Sequence, residues 1–303
     1  MGIILCSDIR KCPAVENIQV VNAQSIKKYE GCEDVVALVC SRAVAQVCQT
    51  MNFPNLKLIQ LFSAGFDNID LQLLKSKGVH LCNAANVYNV SMAEFVVYAM
   101  LMRAKRYNRS IKNGCIRPLR NYKYITELAN KTVGILGAGN IGIQIAKRLE
   151  AFDMRVLGYD LRDDVKPHFS KIYTEESLKD FLPLCDYIIN CMPLFKSTEG
   201  LLNYQWFSLM KDNVTIINVG RKKIINDNDF IDFLKKHKDS TAILDIFEVL
   251  PNPITNPYRR LSNVLVLPGV TAISQEINER LLILIEENLK RLQNGDFLLN
   301  QIV

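Results

Sequence analysis

A chain of 303 residues, of which 49% are apolar, is long enough for two domains with their own cores and too apolar for extended disorder. The net charge of +6 is interleaved with acids rather than gathered into a stripe, so no nucleic-acid partner is expected. The nine cysteines contain no C-x-x-C pair, which argues against a zinc site or a disulfide framework and predicts a reducing, cytoplasmic setting.

Met1-Gly2-Ile3-Ile4-Leu5-Cys6 carries no charged segment followed by a long apolar stretch and reads as a first β-strand. The longest apolar runs, Phe95 to Met102 and Leu281 to Ile285, are too short to span a bilayer, so no membrane partner is expected. Short β-type runs follow at Ile18-Val21, Val36-Cys40, Leu58-Phe62 and Val79-Cys82, separated by segments of helical length. That alternation predicts a parallel sheet with helices on both faces.

From Met92 to Met102 the chain is apolar almost all round. A helix without a polar face is buried on several sides, and this one is expected at a domain or subunit interface. Asn108 to Asn130, polar and holding Gly114 and Pro118, suits a crossing loop. Arg117 and Arg120 within it are better read as solvated than as phosphate ligands.

A second series of apolar runs begins at Thr132-Leu136 and continues through Met154-Asp160, Asp186-Cys191, Val214-Val219, Ala242-Ile246 and Val264-Leu267. Six strands wound in this way predict a dinucleotide-binding sheet. A last long helix near Ser274 to Leu292 precedes Gly295 and a short tail that is expected to return to the first domain. The predicted organisation is a substrate domain over 1–98, a Rossmann-type domain over 99–275, and a helix and tail over 276–303.

The run Gly134-Ile135-Leu136-Gly137-Ala138-Gly139-Asn140-Ile141-Gly142 leaves an apolar strand and opens a helix in which Ile141, Ile145 and Leu149 recur at four-residue spacing. Each glycine has a physical task. Gly137 permits the tight turn, Gly139 lets a pyrophosphate approach the backbone, and Gly142 lets helix and strand pack closely. The helix start at Asn140 and Ile141 then presents free N–H groups and the positive dipole end to the phosphates. Asp160, ending the next strand, is the expected acceptor for ribose hydroxyls and repels a 2′-phosphate, which favours NAD, although Arg162 lies nearby.

With these residues in view the chain resembles the D-isomer-specific 2-hydroxyacid dehydrogenases. Besides the glycine motif, the resemblance is carried by Ser63-Ala64-Gly65-Phe66-Asp67-Asn68-Ile69-Asp70, Met92-Ala93-Glu94, Met192-Pro193-Leu194 with Thr198, Met210-Lys211, Asn218-Val219-Gly220-Arg221 and Leu244-Asp245-Ile246-Phe247-Glu248. It implies a flavodoxin-like α/β substrate domain beside the Rossmann domain. It further implies that the backbone of Ser63, Ala64 and Gly65 holds a substrate carboxylate, and that Pro193 lines the cofactor. Arg221 would grip the carboxylate and carbonyl oxygen of a small 2-oxo or 2-hydroxy acid, and Asp245 would contact the nicotinamide amide. A guanidinium suits this work because its rigid fork matches a carboxylate and stabilises a developing alkoxide. The helix from Met92 to Met102 resembles the family's dimer arm and implies a homodimer.

Two departures stand out. The family's Glu reads Leu250 here, and its general-acid His reads Gly269. The Glu raises the pKa of the His and fixes its tautomer, so their joint loss is coherent. The three histidines, His80, His168 and His237, sit in segments expected away from the nicotinamide. Two outcomes stay open. Tyr88, Tyr258, Lys222 or a water near Ser274 donates the proton instead, or the chain is a catalytically weak NAD(H)-binding sensor or partner-binding protein. Loops near Arg42, Ser63 and Tyr88 are expected to decide the substrate.

Overall fold

The computed structural model describes residues 2–21, 25–26, 29–106, 111–112, 115–116, 125–245, 256–267 and 269–303. Two compact units emerge, Met1–Tyr88 with Ile273–Val303, and Asn89–Ala272.

The first unit is built on five parallel strands: β1 (Ile3–Cys6), β2 (Ile18–Val20), β3 (Val35–Cys40), β4 (Leu58–Leu61) and β5 (His80–Cys82). Their spatial order is β2-β1-β3-β4-β5, the flavodoxin-like winding. Strands β3 and β4 are buried along both faces, which is why they read as continuous apolar runs rather than alternating ones. Helix α1 (Arg42–Cys48) starts where the Ser41 hydroxyl accepts the Val44 N–H, and α2 (Leu71–Ser76) where the Asp70 carboxylate accepts that of Leu73. Both are side-chain caps of orphan helix donors.

The second unit opens with α3 (Asn89–Ala104) and a short antiparallel pair, β6 (Ile111–Lys112) with β7 (Cys115–Ile116). It continues β8 (Thr132–Leu136), α4 (Asn140–Glu150), β9 (Arg155–Tyr159), β10 (Lys171–Tyr173), α5 (Leu178–Phe181), β11 (Tyr187–Asn190), α6 (Tyr204–Ser208) and β12 (Thr215–Asn218). Helix α7 (Asp227–Lys236), β13 (Thr241–Asp245) and β14 (Val264–Leu267) complete it. The sheet is parallel throughout in the order β10-β9-β8-β11-β12-β13-β14, so the order reverses between β8 and β11. Six of its seven strands are the expected ones. The seventh, β10, is a three-residue edge strand, too short to register as a periodic run.

Helix α8 (Gln275–Asn294) returns to the first unit, where Ile277, Leu281, Ile285 and Leu289 are buried against Ile4, Ala37, Val39 and Leu58. Buried Asn288 donates to Gln60 Oε1 at 2.7 Å and to Leu299 O at 3.0 Å, pinning helix, strand and tail together. Gly295 ends the helix at φ +76°, a left-handed cap that glycine adopts without strain. The tail then bridges β5 through Cys82 and Gln301.

The expected boundary at 98/99 falls inside α3, which belongs entirely to the second unit. Its Ala93, Val96, Ala99 and Met100 pack in one cluster with Ile145 and Leu149 of α4, so no break is physically available there. The return to the first unit comes at Ala272/Ile273 rather than at 275/276. Helix α3 is also less enclosed than its composition suggests, since Tyr98 is 53% exposed.

Candidate functional site

Strand β8 ends at a turn shaped by its glycines. Gly137 adopts φ +96° and its N–H donates to the Tyr159 carbonyl at 2.8 Å. A Cβ on Gly142 would stand 2.2 Å from the Gly137 carbonyl oxygen, so helix α4 approaches the strand as closely as backbone allows. Gly139, which precedes α4, has nothing within 4 Å of where a Cβ would be. The result is an open concavity at a helix N-terminus, bordered by Asn140 and Ile141, where N–H groups and dipole favour an anion.

Asp160 follows β9. Its Oδ2 accepts the Ala138 N–H at 3.0 Å and its Oδ1 the Leu161 N–H at 2.7 Å, which holds the acid against the glycine turn. Across the strand-order reversal, Met192 packs on Gly137, whose Cβ would meet it at 3.3 Å. The Cys191 thiol donates to the carbonyls of Leu136 and Gly137, both at 3.2 Å, and burial pushes it up to about 12. Pro193 is exposed, and its carbonyl accepts the Thr198 hydroxyl at 2.9 Å. Open α/β sheets bind ligands at such a switch point.

Arg221 stands just beyond the carboxyl end of β12. A buried side-chain pair, unrecognised from sequence, positions it: Asn190 Nδ2 donates to Asn218 Oδ1 at 2.8 Å, and the same oxygen accepts the Gly220 N–H at 3.2 Å. Asn190 Oδ1 in turn accepts the Met192 N–H at 3.2 Å. One amide pair thus shapes both loops. The available signal was a polar residue ending each apolar strand at Asn190 and Asn218.

The next residue, Lys222, pairs with Asp227 at 2.9 Å. The other oxygen of Asp227 accepts the hydroxyl of Tyr258, which is buried and held well above its usual pKa, first by burial and then by that bond. In the first unit the Tyr88 hydroxyl donates to the Phe62 carbonyl. Each side chain named as an alternative donor therefore has an internal hydrogen-bond or ion-pair partner.

Asp245 ends β13, with Oδ2 accepting the Thr271 N–H at 3.2 Å. Desolvation raises its pKa, while N–H groups of Thr271, Gly269 and Val270 favour the anion. Its Oδ1 is buried and has no partner among the described residues. Gly269 adopts φ +71°. Leu250, together with Ile246, Phe247, Glu248, Arg117 and Arg120, lies outside the described residues.

In the first unit Ser63, Ala64 and Gly65 follow β4. The Ser63 hydroxyl donates to Gly65 O at 2.8 Å, and Asn83 Nδ2 to Ala64 O at 2.7 Å. Arg42 forms an ion pair with Asp67 beside them. Neither the Ala64 nor the Gly65 N–H donates a hydrogen bond among the described residues.

The histidines have structural partners. His168 pairs with Glu150 at 2.7 Å, His237 pairs with Asp212 at 3.0 Å and stacks on Phe233, and His80 meets Gln301 at 3.1 Å. Among the described residues no group of His, Cys, Asp and Glu is arranged to hold a metal ion. The open space at Gly139, at a helix N-terminus with Asp160 bonded at its rim, fits an NAD-type dinucleotide.

Residues 95–270 match the family described as D-isomer specific 2-hydroxyacid dehydrogenase, NAD binding domain. The chain is 31% identical to a D-3-phosphoglycerate dehydrogenase of Archaeoglobus fulgidus over 282 residues, covering 90% of this chain and 51% of that protein. It is 31% identical to a glyoxylate reductase of Thermofilum pendens over 250 residues, covering 80% of this chain and 74% of that one. The chain thus spans about half the length of the archaeal phosphoglycerate dehydrogenase. Among solved structures, a glyoxylate reductase from Paecilomyes thermophila superposes with a TM-score of 0.83 at 21% identity, covering 99% of this chain and 98% of that one. That likeness speaks to the fold.

Proposed function

The chain belongs to the D-isomer specific 2-hydroxyacid dehydrogenase family, and from that premise we propose that it is an NAD-dependent oxidoreductase acting on a small 2-oxo or 2-hydroxy acid. The observation that carries the reading is the glycine turn, open at Gly139, with Asp160 bonded to Ala138 at its rim. Gly137, Gly139, Gly142, Asn140 and Ile141 bind the pyrophosphate, Asp160 the ribose, and Pro193 and Asp245 the rest of the cofactor. NAD(H) bound there supplies or accepts the hydride. The N–H groups of Ala64 and Gly65, which donate no hydrogen bond among the described residues, suit a carboxylate. In the second unit, the Arg221 guanidinium has the fork to grip a 2-oxo acid and to stabilise negative charge on its oxygen.

The proton donor is atypical in this proposal. Tyr258 is buried and bonded to Asp227, and Lys222, partly exposed and one residue from Arg221, pairs with the other oxygen of the same carboxylate; Tyr88 and a water near Ser274 are the remaining candidates. NADH oxidation assayed with glyoxylate, hydroxypyruvate and pyruvate tests the reading. Turnover well above background supports it, and tight NADH binding without turnover supports a cofactor-sensing or partner-binding role. That second reading is favoured by the absence of an imidazole at Gly269.

We further propose a homodimer through α3, where exposed Tyr98 lies beside partly buried Phe95, their ring centroids 6.2 Å apart. A second copy is the proposed occupant because Tyr98 is an exposed aromatic on a helix otherwise packed into its own unit. Light scattering is expected to give twice the chain mass, and Tyr98→Glu to halve it.

A further inference from the structure

The turn that follows β1 holds two thiols against each other. Cys6, the last residue of β1, is fully buried, and its Sγ donates to the carbonyls of Asp8 at 3.3 Å and Lys11 at 3.9 Å. The Lys11 carbonyl belongs to the peptide bond that leads into Cys12, so the helical turn over Ile9–Lys11 curls back onto the strand end that it leaves. Cys12 is partly exposed and packs on the same apolar cluster as Cys6. The two thiols share a hydrogen bond.

Strand geometry separates this pair from the other described thiols of the first unit, because successive side chains of a strand point to opposite faces of the sheet. Cys40 and Cys48, with Cys32 packed on them, belong to the cluster that holds Leu5, on the face opposite Cys6. Cys82 shares the Cys6 face but lies on β5, three strands along from β1, which is about 14 Å at the usual strand spacing. Cys6 and Cys12 are therefore each other's partners. They are also unequal. Burial pushes the Cys6 thiol up to about 12, so it stays protonated and shielded, whereas Cys12 meets solvent and with it any small oxidant.

We propose that Cys12 and Cys6 form a site of reversible oxidation, at which hydrogen peroxide attacks Cys12 and the buried Cys6 resolves the product as a disulfide across the turn. In the first step the Cys12 sulfur, as thiolate, attacks one peroxide oxygen. The O–O bond breaks, the sulfur becomes a sulfenic acid, and the departing hydroxide takes up a proton as water. In the second step the Cys6 sulfur attacks that of Cys12. The S–S bond forms as the S–O bond breaks, and the Cys6 proton leaves with the hydroxide as a second water. Two thiols have then given up two electrons to one peroxide. A resolving thiol in contact halts Cys12 at a reducible bridge, before the irreversible sulfinic acid. The site is independent of the cofactor reading.

The test treats the reduced, folded chain with hydrogen peroxide, quenches with catalase, unfolds and alkylates the remaining thiols, and maps the peptides by mass spectrometry. In wild type, Cys6 and Cys12 are expected to lose alkylation together and to appear as one linked peptide, which dithiothreitol separates again. Cys12→Ser leaves Cys6 alkylated after the same treatment. Cys6→Ser removes the resolving thiol, so a sulfenic acid accumulates on Cys12, where dimedone traps it, and passes on to sulfinic acid. Should serine at the buried position prevent folding, wild type and Cys12→Ser decide the matter by themselves. Cys6 and Cys12 both fully alkylated while other cysteines are oxidised overturns the inference. So does a wild-type Cys12 that reaches sulfinic acid while Cys6 stays free, or a Cys12 bridge to any thiol other than Cys6.

Discussion

The side-chain amide of Asn190 donates to Asn218 Oδ1 at 2.8 Å, and both residues are almost wholly buried. This bond joins the carboxyl ends of β11 and β12, and the loops that carry Pro193 and Arg221 leave from those ends. The course of the loop that carries Arg221 therefore depends on two buried amides.

Asn218→Ala removes the acceptor for both the buried Asn190 Nδ2 and the partly buried Gly220 N–H. Stability is expected to fall by about 1–3 kcal/mol. Where turnover is measurable, KM for the 2-oxo acid rises more than NADH affinity falls, because the Arg221 loop loosens while the glycine turn is untouched. Urea denaturation and steady-state kinetics read the two effects separately.

The glycines of the turn differ in what an added methyl meets. At Gly139, with φ −82° and open space around the Cβ position, alanine leaves stability within about 0.5 kcal/mol of wild type. It is expected to weaken NADH binding by more than about tenfold, because the methyl stands in the proposed path of the pyrophosphate. At Gly142, alanine meets the Gly137 carbonyl at 2.2 Å, so both stability and binding fall, the former by about 1–3 kcal/mol. Thermal melts with and without NADH distinguish the two cases.

Asp160→Ala removes the proposed ribose acceptor and, with it, the repulsion of a 2′-phosphate. NADH binding weakens and any preference over NADPH narrows in isothermal titration of both cofactors. Because Oδ2 also holds the Ala138 N–H, part of the loss is looser packing of the turn. Asp160→Asn keeps an acceptor there and is expected to lose less NADH affinity than alanine.

Restoring an acid and its partner through Leu250→Glu with Gly269→His is expected to introduce a histidine-like step into the pH dependence of 2-oxo acid reduction. The proton donor is the imidazolium, whose pKa a neighbouring carboxylate raises, so kcat/KM is full below that pKa and declines as pH rises through it. The backbone at position 269 works against the change, since φ +71° costs a histidine roughly 1–3 kcal/mol. The double variant is thus less stable than wild type, and NADH affinity must be shown intact before rates are compared. A wild-type profile that already contains such a step, abolished by replacing His80, His168 or His237, contradicts the reading of these departures.

The local chemistry of the cofactor turn was legible in the sequence, because short-range rules govern it. A strand, three glycines at fixed spacing, a helix and an acid at the next strand end determine one another through backbone sterics and the helix dipole, and the positive φ at Gly137 and the tight approach at Gly142 follow from that spacing. Parallel winding was legible for a similar reason, in doubly buried strands such as β3 and β11 that read as unbroken apolar runs. Tertiary structure alone decided what depended on partners distant in the chain. The edge strand β10 exists through its pairing with β9, and α3 belongs to the second unit because α4 covers it. Asn190 finds Asn218 twenty-eight residues away, and Tyr258 is removed from the candidate donors by Asp227, thirty-one residues distant. Periodicity records which face of an element is apolar, whereas the pairing of individual polar atoms is settled by which elements become neighbours.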